Sequence, residues 1–133
     1  MSRKSDRENL MKMIYEMGMN DDFSKAVYDG FIENFPDKKP GKYFEKVYEI
    51  IAEHKDEIDR QINEHSSRWK ISRMAAVDLA ILRVAAAEIL YVEDIPAQVS
   101  INEAVNMAKK YSTGKSSGFI NGLLGGMVKD DAR

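Results

Sequence analysis

The sequence contains no cysteine among its 133 residues. This absence excludes a disulfide framework, a zinc site built on thiolates and a cysteine nucleophile. Because nothing then points to an oxidising compartment, we expect a cytoplasmic protein. With 44% hydrophobic residues, a chain of this length can bury a core without cross-links, so we expect a single domain over residues 1–133.

Long hydrophobic runs are also missing. Residues 1–9 are polar from the start and lead into no apolar signal-peptide core, so we expect no export. The most apolar stretch, residues 74–92, contains Asp78, Arg83 and Glu88, which would be costly inside a bilayer. That stretch therefore predicts a buried helix, and we expect no contact with a membrane.

The chain has no excess of positive charge, since its formal net charge is −2. Neutralisation of phosphates drives nonspecific binding, so this charge argues against a protein that coats nucleic acid. A nucleic-acid site must then be local, and basic residues gather in three short segments. These are Arg3, Lys4, Arg7 and Lys12, then Arg68, Lys70 and Arg73, and then Lys109, Lys110 and Lys115. The second and third segments contain no acidic residue.

Motifs for catalysis or metal binding are absent as well. His54 and His65 would lie roughly 16 Å apart on one helix, too far to share a metal ion. The segment 114–116 (GKS) ends like a phosphate-binding loop, but the motif requires a glycine where this chain has Lys109. No signal places two carboxylates in one cleft. We therefore expect no metal, no cofactor and no enzymatic activity.

Helical periodicity is the dominant pattern, and no segment alternates convincingly as a strand does, so we predict an all-α protein. Ser5 and Glu8 have the spacing of a capping box at the start of a first helix, which ends at Gly18. A second helix is predicted from residues 21–24 to Pro36, and a third, long or slightly broken, follows Gly41. The periodicity lapses at residues 66–67. We place there the boundary between an N-terminal subdomain, 1–65, and a C-terminal subdomain, 66–133.

The C-terminal half is predicted to hold the central helix. A short helical turn around residues 69–71 precedes it, and the helix begins at Ser72 or Arg73 and ends near Tyr91. It is apolar on all sides, which is typical of a buried helix. Ser100 and Glu103 then have capping-box spacing for another helix, and the last helix begins at residue 116 or 117 after a loop.

One aromatic residue stands on the polar face of the first helix. A helical wheel places Tyr15 opposite the apolar stripe, beside Lys4, Arg7, Glu8 and Lys12. Single-stranded RNA is bound by aromatic rings that stack on bases and by cations that hold the backbone, so this face has suitable parts. The alternative is an ordinary solvated face on which Tyr15 packs against the neighbouring helices.

The order of residues from Trp69 onward resembles the C-terminal pattern of the NusB family. The resemblance rests on Trp69 and Arg73, on the segments 78–83 (DLAILR) and 94–96 (DIP), and above all on 101–105 (INEAV) with 119–124 (FINGLL). It extends to the first helix, where Arg3, Lys4, Arg7 and Tyr15 occupy the positions of an arginine-rich segment and a tyrosine. The chain departs from the pattern at Ser5, Asp6, His65 and Gly118.

This resemblance implies a seven-helix fold of two small bundles and a function in transcription antitermination. Such a protein binds the boxA element of nascent RNA together with NusE, a small-subunit ribosomal protein, and helps RNA polymerase to read through terminators, chiefly in ribosomal RNA operons. By position, the implied RNA contacts are Arg3, Lys4, Arg7, Tyr15, Lys115, Phe119 and Asn121. The implied partner contacts are Asp78 and Arg83, although an internal ion pair of Arg83 with Glu88 or Glu103 is an equal alternative.

Two other functions stay open from the sequence. One is a helical module for protein interaction or homodimerisation that has the same fold but no useful affinity for RNA. The other is the NusB-like RNA-binding domain of an RNA methyltransferase, which we do not favour because we expect no cofactor-binding α/β domain after Arg133. Whether the free protein is a monomer or a homodimer is also left open.

Overall fold

The computed structural model describes residues 2–35 and 39–131. Within them the chain forms six α-helices and one short 3-10 turn, and no strand. The α-helices are α1 (Arg3–Asn20), α2 (Lys25–Glu33), α3 (Lys42–His65), α4 (Ala76–Tyr91), α5 (Ala97–Tyr111) and α6 (Ser116–Asp131), and the 3-10 turn is Ile71–Arg73. The predicted all-α class is confirmed.

Helix α4 is the central element, as its uniformly apolar sequence predicts. It packs against α1, α3, α5 and α6, and its residues from Ala80 to Ile89 are all buried. Three of its buried side chains are charged, namely those of Asp78, Arg83 and Glu88. Each of these must find its partner inside the fold, because an unpaired buried charge is strongly destabilising.

The helix count differs from the seven implied by the resemblance. At His54 the backbone angles (φ −111°, ψ 20°) are not helical, so a kink divides α3 into two helical segments that are counted as one helix among the six. The predicted turn around residues 69–71 is present as the 3-10 segment Ile71–Arg73. The prediction that α2 runs to Pro36 falls on a residue outside the described ranges, and the described helix ends at Glu33.

Three predicted helix starts are wrong. Helix α1 is capped by Ser2, whose side chain accepts a hydrogen bond from the Ser5 amide, and α4 begins at Ala76. Helix α5 begins at Ala97, directly after Pro96. Ser100 therefore lies inside α5, and its hydroxyl donates to Glu88 Oε1 at 2.8 Å instead of capping a helix.

The hydrophobic core is continuous across both halves of the sequence. Residues of α1 and α3 belong to the same buried cluster as residues of α4, α5 and α6. The division into subdomains at residues 65 and 66 remains a prediction. No helix in the described ranges has the length and apolar character required to span a bilayer.

Candidate nucleic-acid interface

A cleft of about 790 Å³ opens where α4 and α6 begin. Its walls come from the segment that links α3 to α4, from the first turn of α4, from the α5–α6 loop and from the first two turns of α6. We call it the basic cleft and define it by five side chains of its lining, those of Arg68, Trp69, Arg73, Lys115 and Phe119.

The charge of the lining is mostly positive. Arg68, Arg73 and Lys115 contribute three cations, and Asp78 is the one carboxylate among the described residues of the lining. The two oxygens of Asp78 are engaged by neighbouring hydroxyls, because Ser112 Oγ donates to Oδ1 at 2.7 Å and Ser116 Oγ donates to Oδ2 at 2.8 Å. The basic cleft therefore presents mainly cations to a ligand. The Asp78 carboxylate holds the α5–α6 loop in place.

Two aromatic rings meet in the lining. The rings of Trp69 and Phe119 lie edge to face, with centroids 5.2 Å apart and planes inclined by 72°. The guanidinium of Arg68 lies 5.0 Å from the centre of the Trp69 ring, within the range of a cation–π contact. Trp69 is 40% exposed, whereas Phe119 is partly buried and packs against the core.

His65 ties the end of α3 to the last turn of α6 beside the basic cleft. Its Nδ1 lies 2.8 Å from the carbonyl oxygen of Gln61, and its Nε2 lies 2.7 Å from Asp130 Oδ2. Burial alone would lower the pKa of His65, but these two contacts outweigh it and raise the pKa above its ordinary value. A protonated ring donates to both groups and forms an ion pair with Asp130, and His65 itself belongs to the lining of the basic cleft.

The structure brings together some of the RNA contacts expected from the sequence. Lys115 and Phe119 line the basic cleft. Asn121 is exposed on α6, the helix that also carries Phe119, but it is not part of the lining of the basic cleft. Lys4 and Arg3 are exposed on α1, and the Arg3 guanidinium lies 4.5 Å from the centre of the Tyr43 ring. Tyr15, on the same helix, packs against the core with part of its surface left exposed.

Arg7 does not lie on the polar surface where the helical wheel placed it. Its residue surface is only 4% exposed, its Nε donates to Glu88 Oε2 at 2.8 Å, and its Nη2 donates to Glu88 Oε1 at 3.1 Å. The hydroxyls of Tyr43 and Ser100 donate to the same carboxylate. Burial alone would lower the pKa of Arg7, but Glu88 outweighs it and raises that pKa. In this structure Arg7 joins α1 to α4, which disfavours its expected role as a phosphate contact.

Asp78 and Arg83, the expected partner contacts, are also buried. Asp78 is 7% exposed and Arg83 is 6% exposed. Arg83 makes a two-pronged ion pair with Asp59, in which both nitrogen–oxygen distances are 2.9 Å. The alternative of an internal pair is thus correct for Arg83, but the partner is Asp59 and not Glu88 or Glu103. Neither side chain presents a surface to another protein, so their role as partner contacts is disfavoured.

Sequence reasoning did not choose Arg68, Trp69 and Arg73 as site residues. A usable signal was present, because the basic segments 68–73 and 109–115 both lack acidic residues and the first contains the one tryptophan of the chain. What the sequence did not reveal is that the two segments face each other across one cleft.

Comparison with known proteins gives a consistent result. Residues 4–129 match the model of the NusB family. The transcription antitermination protein NusB of Clostridium novyi (strain NT) is 39% identical over 132 residues, which cover 97% of this chain and 99% of that protein. Among solved structures, NusB of T. maritima superposes with a TM-score of 0.88 at 29% identity and covers 100% of this chain and 94% of its own.

A second solved structure contains the antitermination factors NusB and NusE in complex with double-stranded RNA. The matched chain has a TM-score of 0.85 at 24% identity, with 96% of each chain covered. At this identity the likeness supports the fold.

Proposed function

The chain belongs to the NusB family, and on this premise we propose that it is a transcription antitermination factor. It binds boxA-like single-stranded RNA together with NusE and promotes read-through by RNA polymerase, chiefly in ribosomal RNA operons. It acts in the cytoplasm as a binding protein, without catalysing a reaction.

The observation that carries this proposal is the composition of the basic cleft. Unstacked bases of single-stranded RNA lie on aromatic rings, and arginine and lysine hold the phosphates that link them. The basic cleft offers both kinds of group within one cavity of about 790 Å³. An ordinary solvated surface would mix both signs of charge, whereas the one carboxylate among the described lining residues accepts hydrogen bonds from two hydroxyls.

A second strip of candidate RNA contacts lies on α1. Lys4 and Arg3 are exposed there, and the partly exposed Tyr15 lies further along the same helix. Glu8, which stands between them, accepts hydrogen bonds from Lys110 Nζ at 3.0 Å and from the Tyr111 hydroxyl at 2.8 Å. The negative charge of Glu8 is therefore partly offset by the positive charge of Lys110 on α5. We assign Arg3, Lys4 and Tyr15 to this strip as further RNA contacts.

The partner is needed for an electrostatic reason. With a formal net charge of −2, the isolated chain can neutralise only a few phosphates, and its affinity for RNA should be modest. A basic partner beside the bound strand would lengthen the positive track. NusE is the partner that we propose, and one of the solved structures with this fold contains NusE beside NusB.

Two paired variants test the proposal. Arg73→Ala/Lys115→Ala removes two cations of the basic cleft, and Lys25→Ala/Lys46→Ala removes two exposed cations from α2 and α3 as the matched control. The dissociation constant of a boxA-like RNA strand is measured for each protein over a series of salt concentrations. We expect the cleft variant to bind more weakly and to lose about 1.4 from the slope of log affinity against log salt, which is roughly 0.7 for each lost contact with a single strand.

The control variant should keep both the affinity and the slope of the unmodified protein. If the two variants lose RNA affinity and salt slope equally, the cations act only through the net charge of the protein. If the unmodified protein binds no RNA with or without NusE, the chain is a helical protein-interaction or homodimerisation module.

A further inference from the structure

The Trp69 side chain has no evident role in stabilising the core. Among the described residues, three large hydrophobic side chains are exposed, and Trp69 is the one aromatic among them. Its backbone is held independently of the ring, since the Trp69 amide donates to Ser66 Oγ at 3.2 Å and the same hydroxyl donates to the Trp69 carbonyl oxygen. The turn therefore presents the ring at a fixed place in the cleft wall.

The groups around the ring suit a nucleobase. Phe119 meets the indole at a steep angle of 72°, so the two rings form a corner and not a closed stack. The Arg68 guanidinium near the indole lies on an exposed residue, and an exposed arginine can move from a ring to a phosphate at little cost. The cleft volume of about 790 Å³ falls in the range of roughly 300–1,000 Å³ that is usual for pockets holding a small organic molecule.

The charges around this corner favour a nucleic acid over an apolar peptide. Arg68, Arg73 and Lys115 line the same cleft as the two rings, and the buried carboxylate of Asp78 accepts hydrogen bonds from the hydroxyls of Ser112 and Ser116. A base that lies against an aromatic ring carries a phosphate on each side, and both phosphates need cations within reach. An apolar peptide segment would leave the three cations without partners.

We propose that the basic cleft holds one unstacked base of the bound RNA strand against the indole of Trp69, with Phe119 forming the second side of the corner. Arg73 and Lys115 bind the phosphates that flank this base. This inference rests on the proposed function and assigns to Trp69 a binding role that depends on the base rather than on the backbone. The remaining bases of the strand contact other parts of the protein and its partner.

The experiment uses the fact that Trp69 is the one tryptophan of the chain. A boxA-like RNA strand carrying a terminal dye gives the dissociation constant from dye anisotropy, while the tryptophan fluorescence of the protein reports on the indole itself. In a series of otherwise identical strands, one position at a time carries an abasic ribose. We expect the intact strand to quench the tryptophan fluorescence and one abasic position to abolish most of that quenching.

The same abasic strand should bind about five- to 150-fold more weakly than the intact strand, which is the usual loss for one stacked base. Trp69→Ala should weaken binding of the intact strand by a similar factor. It should not weaken binding of the abasic strand further, because both changes remove the same contact. Trp69→Phe should recover part of the affinity, and Tyr91→Ala, which removes a partly buried aromatic at the opposite end of α4, should bind as the unmodified protein does.

The outcomes separate this inference from the proposed function. If the RNA binds but the tryptophan fluorescence does not change, and Trp69→Ala binds with unchanged affinity, then Trp69 is not a base contact and only the further inference is overturned. If Trp69→Ala weakens the intact and abasic strands by the same factor, the ring supports the cleft without touching a base, which also overturns the inference. Failure of the unmodified protein to bind any strand, with or without NusE, overturns both. Circular dichroism of each variant before titration ensures that folded proteins are compared.

Discussion

Replacement of Arg7 by methionine should destabilise the fold without changing RNA binding by the folded protein. The guanidinium is buried against Glu88, whose own side chain is fully buried. Methionine keeps an unbranched apolar stem but removes the guanidinium and its charge. Glu88 then retains two hydroxyl donors, from Tyr43 and Ser100, but loses its counter-ion. A buried carboxylate without a cation is the costly state.

The expected size of the effect follows from this geometry. Removal of one partner of a buried ion pair costs about 3–5 kcal/mol, and the two remaining hydroxyls place this case near 3 kcal/mol. In urea, where the free energy of unfolding falls by about 1–3 kcal/mol per molar denaturant, the unfolding midpoint should fall by roughly 1–3 M. This is a large part of the stability of an ordinary domain.

Urea unfolding followed by circular dichroism measures the stability, and RNA titration over a series of salt concentrations measures the binding. Lys4→Met is the matched comparison, because Lys4 is exposed on the same helix three residues earlier. It should leave the unfolding midpoint unchanged and lower the salt slope of RNA binding by about 0.7. If Arg7→Met instead keeps its stability and lowers the salt slope, Arg7 reaches the RNA and the buried arrangement described above is wrong.

The remaining predictions concern the contacts of Asp78 with two serine hydroxyls and of His65 with Asp130. Asp78→Ala should lower the free energy of unfolding by about 2 kcal/mol, because the hydroxyls of Ser112 and Ser116 lose a charged acceptor. Binding of NusE to the folded fraction, measured by calorimetry, should be unchanged. Because the pKa of His65 is raised in the fold, the stability from its pair with Asp130 is complete below the unfolded value of about 6.5 and is lost as the pH rises through the folded value. The difference in urea midpoint between the unmodified protein and Asp130→Asn should therefore shrink as the pH rises above about 6.5, and a difference that grows with pH would contradict this assignment.

The parts of the fold that the sequence predicts correctly depend on hydrophobic pattern. A segment that is apolar on all sides has to be surrounded by other helices, and α4 is indeed packed against four of them. Helix starts are less predictable because the same residue type serves several purposes. Ser100 has the spacing of a cap, yet its hydroxyl is needed by Glu88 on the neighbouring helix, so α5 begins one turn earlier at Ala97.

The site residues show the same limit. A helical wheel shows where Arg7 lies on α1, but not that Glu88, 81 residues later, draws it into the interior. Arg83 was correctly weighed as an internal pair, but its partner Asp59 lies on a different helix from the two acids considered. The family resemblance predicts Lys115 and Phe119, and both lie in the lining of the basic cleft. Trp69 was visible as a single unusual residue, but its place opposite Phe119 depends on tertiary packing.

The central claim is that this chain binds single-stranded RNA jointly with NusE, and it is tested by one pair of titrations. A boxA-like strand is titrated with the protein alone and with the protein plus saturating NusE, at one fixed salt concentration. We predict modest affinity alone and a markedly lower dissociation constant with NusE, and RNA should tighten the pairing of the two proteins by the same factor. Equal dissociation constants in the two titrations would contradict joint binding and leave a helical interaction module as the function of this fold.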